Sequence, residues 1–160
     1  DNLTPQERSR QMSLVKSRDT KPEWLVRRIV FAMGHRYRLH DASLPGRPDI
    51  VFRRRRKAIF VHGCFWHQHS CSMGRRIPKS RVQFWREKLD SNKLRDRRNR
   101  RALRKLGWKV LVVWECQLRD EETLKSDFAI FSKPEESFQC KTVGDSAVIQ
   151  LAWQPIPTRC

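Results

Sequence analysis

Apolar positions along this chain alternate between a helical rhythm and a strand rhythm. Thr4-Pro5-Gln6-Glu7 reads as a capping box with proline at the first helical position, and predicts a short basic helix to about Lys16. Thr20-Lys21-Pro22-Glu23 repeats the signal. Trp24, Leu25, Arg28, Ile29 and Ala32 then follow at helical spacing until Gly34 stops them. Three strand-length runs come next, at 36–40, 49–52 and 57–62. The turn-rich "DASLPGRP" parts the first two, and "RRRRK" forms a hairpin tip between the others. Ser80 is placed to cap a long helix over 81–106 that closes at Gly107. "WKVLVVW" (108–114) is an apolar run of strand length, broken by Lys109 alone, and the best candidate for a buried central strand. "DEETLKSDFAIF" (120–131) predicts another helix, and the proline-bearing tail holds one strand-like run, "AVIQLAW". This order predicts a mixed α/β domain, one sheet flanked by helices.

At 160 residues the chain is expected to form one domain with a real core. Its 35 Lys and Arg against 17 Asp and Glu leave a net charge of +18. Such an excess points to a polyanionic partner, because neutralising phosphates releases counterions. No run approaches the roughly 18 apolar residues of a membrane span. The opening "DNLTPQERSR" lacks an apolar signal core, so a secreted protein is not expected. The five cysteines are then expected in a reducing compartment, as metal ligands before disulfides.

The sharpest chemical signal is "HGCFWHQHSC" (62–71), which gathers three of the five histidines and two of the five cysteines. Zinc sites take thiolate and imidazole in fours. Cys64, His69 and Cys71 give C-x4-H-x-C, and Cys116, just past the "WKVLVVW" strand, is the best fourth. Cys140 and Cys160 sit in the tail and are poorer candidates. Buried free thiols beside surface histidines are the plainer alternative. His62 and His67 are left uncommitted, and histidine suits proton transfer near neutral pH. Phosphodiester cleavage would also need a hard cation on a carboxylate. In "GRPDIVF", Asp49 stands at the mouth of an apolar strand, where it is either that carboxylate or a plain turn aspartate.

"RDTKPEWLVRR", "DASLPGRPDIVF", "FVHGCFWHQHSC", "FWREKLDSNKLRDRR" and "LGWKVLVVWEC" together resemble the very-short-patch repair (Vsr) mismatch endonucleases of bacteria, from about Met12 to Leu118. The resemblance implies a restriction-endonuclease-like fold and a Mg²⁺-dependent nick 5′ of the thymine in a T·G mismatch, the product of 5-methylcytosine deamination. It implies Asp49 and the backbone carbonyl of Val61 as Mg²⁺ ligands, His62 and His67 as catalytic histidines, and Glu23 as a supporting acid. It puts zinc on Cys64, His69, Cys71 and Cys116, the four chosen above from spacing. Val61 stands where the family usually has threonine, so a hydroxyl role is lost while a carbonyl role survives. Gln68 and Ser70 stand where relatives can carry histidine.

On this reading residues 1–18 grip DNA, 19–118 form the catalytic core, and 119–160 form a C-terminal helix and variable tail of one domain. Phe65 and Trp66 are held outward by the zinc loop as a wedge between base steps, least costly beside a mismatch. The family comparison adds Trp85 to the stack; the plainer alternative is that all three rings are core. Trp85, Lys88 and Asn92 share one helix face and are expected to read the mismatch. Arg95, Arg97 and Arg98, with Arg100 and Arg101, are expected on phosphates, and Met12 and Val15 in the minor groove, although by sequence those two fit an ordinary core equally well. The expected partner is double-stranded DNA with a T·G mismatch, met by a monomer in the bacterial cytoplasm, with mismatch-repair helpers and a polymerase acting downstream. Two rivals are a restriction enzyme cutting both strands of an intact site and a zinc-stabilised DNA-binding module without catalysis.

Overall fold

The structure is a computed structural model that describes residues 4–14, 16 and 18–132. Helix α1 spans Pro5–Ser13 and α2 Lys21–Ala32. Strands β1 (Arg38–Leu39), β2 (Ile50–Phe52) and β3 (Lys57–His62) follow, then the 24-residue α3 (Val82–Lys105), β4 (Lys109–Trp114) and α4 (Glu121–Ser132). Both expected capping boxes form. Thr4 and Glu7 exchange hydrogen bonds at the start of α1, and Thr20 Oγ1 and Glu23 do so at the start of α2. Among the described residues no helix is long and apolar enough to cross a membrane.

The four strands form one mixed sheet in the order β1-β2-β3-β4. The two hairpin pairs are antiparallel, and β3 and β4 run parallel with α3 as the crossover between them. Alternation along β3 divides the core. Ile59 joins Ile50, Phe52 and Val113 on one face, beneath Val26, Ile29 and Val30 of α2 and Leu124 and Phe128 of α4. Ala58 and Phe60 face the other way, against Leu103 of α3. The apolar residues of β4 therefore reflect cover on two faces.

Four expectations change. The buried central strand is β3, whereas β4 pairs with β3 alone and lies at the edge of the described sheet. Helix α1 ends at Ser13, short of Lys16. Helix α3 is entered from Arg81, in left-handed backbone with φ of 53° and no side-chain cap, so Ser80 is not its cap. Strand β1 pairs only two residues with β2, because the chain turns into the left-handed region at His40 (φ 47°). The tail run "AVIQLAW", Cys140, Cys160 and Val15 lie outside the described residues.

The loop that delivers Asp49 is stapled on both sides. Asp41 accepts from Ser43 Oγ at 2.6 Å and from Arg53 Nε at 2.7 Å, and Arg47 Nε donates to the His40 carbonyl at 3.1 Å. Gly46, with φ of 75°, lies so close to α3 that an added Cβ would stand 2.7 Å from Asn99 Nδ2. Gly34 has a similar φ of 81° but nothing within 4 Å of the same position. Gly34→Ala should therefore cost only the left-handed backbone, about 1–2 kcal/mol. Gly46→Ala should cost more and also impair catalysis, by pushing the Asp49 loop off α3. Paired thermal melts measure the difference, and equal losses would show that the Asn99 contact is unimportant.

Candidate active site and metal centre

One fact of register assembles both candidate sites. In the parallel pair, His62 at the end of β3 lies opposite Trp114 at the end of β4. Two residues further along each chain stand Cys64 and Cys116, so the two strands deliver these thiols side by side. The Cys116 N–H donates to Cys64 Sγ at 3.4 Å, and Cys116 Sγ lies 3.4 Å from His69 Nδ1. The donor atoms of Cys64, His69, Cys71 and Cys116 all lie within 4.8 Å of one another. Three soft sulfurs and one imidazole at that separation fit a tetrahedral zinc ion. Burial pushes the Cys64 thiol up to about 12, whereas a hydrogen bond with His69 draws Cys71 down to about 6. A bound dication removes that conflict by stabilising all the thiolates together. Gly74 makes the loop possible, since a Cβ there would overlap the His69 carbonyl.

Beside this centre a cavity of about 370 Å³ is lined by Glu23, His40, Asp49, Val61, His62, His67, Asp96 and Arg100. Asp49 Oδ2 accepts the Val61 N–H at 2.8 Å. Burial pushes its carboxyl up to about 6 against that hydrogen bond. His62 is 6% exposed, and burial holds it down to about 3, so it stays neutral. Its ring stacks on His67 with centroids 3.8 Å apart and planes within 9°. His67 Nδ1 lies 2.5 Å from Asp96 Oδ2. Burial pushes the Asp96 carboxyl up, yet the His67 contact prevails and keeps it below its ordinary value. An ionised carboxylate only accepts, so His67 donates from Nδ1, and in the neutral ring Nε2 is then the nitrogen with the lone pair. The Nε of Arg100 is buried without a hydrogen-bond partner among the described residues.

Glu23 is differently employed. One carboxylate oxygen accepts from Thr20 Oγ1 at 2.9 Å; the other accepts from the Asp19 N–H at 3.0 Å and from Arg27 at 2.9 Å. Asp96, His40 and Arg27 were missed in the sequence reading. Only Asp96 left a trace there, as the lone acid in the arginine-rich stretch 95–101.

A second groove, of about 690 Å³, opens next to the cavity and shares His67, Val61, Glu23 and Arg95 with it. Met12, Trp66, Lys88 and Asn92 also line it, together with Lys16 and Lys21. Phe65, Trp66 and Trp85 are half-buried against one another, with centroids 5.1 to 6.0 Å apart, so the rings form a packed cluster and do not project freely. Asn92 Nδ2 donates to the Trp66 carbonyl at 3.0 Å, and Asn92 Oδ1 accepts from Arg95 at 2.9 Å. Arg97 and Arg98 line a separate basic groove with Arg101 and Arg104.

Comparison with known proteins accounts for this combination of basic groove, histidine pair and cysteine loop. The family profile described as DNA mismatch endonuclease Vsr matches residues 1–73. The DNA mismatch endonuclease Vsr of Escherichia coli K12 is 46% identical over 149 residues, 93% of this chain and 92% of that protein. The chain belongs to the Vsr family of DNA mismatch endonucleases. A type II nicking enzyme of Xanthomonas oryzae pv. oryzae, V.XorIIP, is 48% identical over 126 residues, 79% of this chain and 92% of that enzyme. Another from Neisseria meningitidis, V.NmeAIP, is 47% identical over 121 residues, 76% of this chain and 86% of that enzyme.

For this Vsr chain the four-ligand geometry predicts about one zinc per chain that survives dialysis against EDTA. Metal analysis of the purified protein checks it; a folded, zinc-free protein would contradict it. Cys116→Ala should lose the metal and lower the melting temperature. Gly74→Ala should do the same with every ligand still present.

Proposed function

We propose that this enzyme nicks one strand of duplex DNA on the 5′ side of the thymine in a T·G mismatch, by Mg²⁺-dependent hydrolysis on a restriction-endonuclease-like scaffold. The observation that carries the reading is the convergence of Asp49, His62 and the His67–Asp96 pair on one cavity that opens into a basic, aromatic-lined groove. A mixed sheet whose two inner strands bring an aspartate and a histidine to one end supports the scaffold assignment.

Asp49 offers a hard carboxylate oxygen in a cavity edged by the Val61 backbone, and this donor chemistry fits Mg²⁺, with the Val61 carbonyl as the second protein ligand. When bound, the ion supplies positive charge against the scissile phosphate and makes water more acidic. His67 accepts the proton of the attacking water on Nε2, because Asp96 fixes the other nitrogen as N–H. Asp96 also stabilises the imidazolium that results. Neutral His62 braces the His67 ring by stacking. The unpaired Arg100 Nε supplies a donor for charge developing on the phosphate. Glu23 helps through position, holding the start of α2 and the Arg27 that contacts His40 of the cavity wall. The products are a 5′-phosphate and a 3′-hydroxyl, which give a repair polymerase its start.

DNA lies along the groove. Met12 enters the minor groove and Lys88 meets the mismatched pair. Asn92 contributes by holding the Trp66 backbone and Arg95. Arg95, Arg97 and Arg98 bind phosphates and position without specifying. Phe65, Trp66 and Trp85 form the intercalating cluster, and the zinc holds their loop. The enzyme acts as a monomer, since one strand needs one site.

Duplexes carrying T·G in varied contexts, or T·A at the same position, test the reading. A Mg²⁺-dependent nick at the thymine of the T·G duplex alone is expected, and equal cleavage of both strands of the matched duplex would overturn it. Asp49→Ala and His67→Ala should lose nicking while keeping affinity for mismatched DNA. The pH dependence has a definite sign. The cation needs Asp49 ionised, and burial raises that carboxyl to about 6, so nicking should fall as pH drops through about 6. Added Mg²⁺ should move the midpoint lower by competing with the proton. At limiting Mg²⁺, a rate independent of pH between 5 and 7 would count against Asp49 as the ligand.

A further inference from the structure

We propose that His40 is a positioning residue for Asp49: the buried Arg27 guanidinium fixes its tautomer, so that Nδ1 carries the proton and faces the carboxylate. The inference rests on the reading of Asp49 as the metal-binding acid.

The argument begins with Arg27, which is 4% exposed. Its guanidinium donates to Asp19 Oδ1 at 2.7 Å and to Glu23 Oε2 at 2.9 Å, and a third contact joins Nη2 to His40 Nε2 at 2.9 Å. A guanidinium has only donors and does not deprotonate in proteins. At that distance His40 Nε2 must therefore be the acceptor. A neutral ring whose Nε2 accepts carries its proton on Nδ1. Asp19 Oδ1 and Glu23 Oε2 also lie near Nε2, at 3.7 and 3.8 Å, but both are already bonded to Arg27, whose nitrogen is much closer.

The opposite nitrogen, Nδ1, lies 3.8 Å from Asp49 Oδ1. That is too long for a direct hydrogen bond and suits an oriented dipole or a bridging water. Asp49 Oδ2 is engaged by the Val61 N–H at 2.8 Å, so the two oxygens of this carboxylate meet different donors. His40 is itself held, with left-handed backbone at φ 47° and its carbonyl bonded to Arg47 Nε at 3.1 Å. The chain Glu23–Arg27–His40–Asp49 thus connects the cap of α2 to the acid at the mouth of β2. Its job is to aim one carboxylate oxygen at the cavity. Residues that orient metal ligands in this manner typically matter by roughly 10–100-fold in metal affinity or activity.

Two measurements test the proposal. Long-range ¹H–¹⁵N correlation spectra of the protein without Mg²⁺ report the tautomer directly. A pyridine-type Nε2 and a pyrrole-type Nδ1 are expected for His40; a protonated Nε2 would overturn the proposal. The second measurement compares His40→Ala, His40→Asn and His40→Gln for the Mg²⁺ concentration giving half-maximal nicking, and for DNA affinity without Mg²⁺. His40→Ala should raise that concentration roughly 10–100-fold and leave DNA affinity unchanged. His40→Asn, whose amide nitrogen takes the place of Nδ1, should recover more than His40→Gln, whose amide takes the place of Nε2. Better rescue by Gln, or wild-type Mg²⁺ dependence in all three variants, would overturn it. Wild-type protein that does not nick at all, with the expected tautomer present, would instead defeat the reading of Asp49 as the metal-binding acid while leaving the Arg27–His40 contact intact.

Discussion

The parallel pairing of β3 with β4 is the constraint on which the rest of the molecule depends. Six residue pairs fix the register, ending with His62 beside Trp114. A slip of one residue would turn His62 from the cavity to the opposite face of the sheet. It would also separate Cys64 from Cys116, which come together only because each stands two positions beyond that last pair. Parallel neighbours need a crossover, and here the crossover is the metal loop followed by α3. The same segment therefore carries Cys64, His69 and Cys71, the aromatic rings, and Asp96. Fold and site are one closure: the sheet positions two thiols, and a four-ligand centre across the strand ends would resist their separation.

Electrostatics around that closure run against the average of the chain. The protein carries a net charge of +18, yet the cavity holds a carboxylate raised by burial and a histidine kept neutral by burial. Neither group is paired in its charged form by a close salt bridge, which would be the inexpensive arrangement for a structural residue. Groups left poised in this way inside a cleft are suited to exchange protons or take a cation. The surrounding arginines attract a polyanion. The buried groups inside the cavity are placed to act on it.

Periodicity and capping made the helices legible, because those signals are local: both boxes, at Thr4 and at Thr20, lie within four residues. The grouping of Cys64, His69, Cys71 and Cys116 was also legible, since three of them share one short loop and Cys116 follows the next apolar strand. What escaped was long-range. Which strand is central depends on pairing partners, so β4, apolar from Val110 to Trp114, looked central although it is an edge of the described sheet covered on both faces. Arg27 and His40, 13 residues apart, gave no pattern at all, and Asp96 and His67 meet across 29 residues. Ser80 looked like a cap by type alone, but the backbone enters α3 through Arg81, and type does not report φ. The contacts among Phe65, Trp66 and Trp85 were not legible either, because Trp85 meets the other two rings only once α3 is folded against the loop.

That last difference bears on how such a cluster can discriminate among base steps. An aromatic pair in edge contact is worth about 0.5–1.5 kcal/mol beyond its buried area. Phe65 makes such edge contacts with both Trp66 and Trp85, and the two tryptophans meet at a tilt, so pulling rings apart to enter DNA forfeits these contacts. Stacking on bases returns about 1–3 kcal/mol per ring, and opening a base step costs a few kcal/mol, least where pairing is already weak. The gain and the two costs are of the same size. A projecting wedge would enter many steps, because it would give up nothing in the free protein. A packed cluster enters only where the DNA lowers its share of the cost. On the proposed reading, the self-packing of the rings is thus itself a source of selectivity: it sets the threshold that a mismatched step can cross and a matched step cannot.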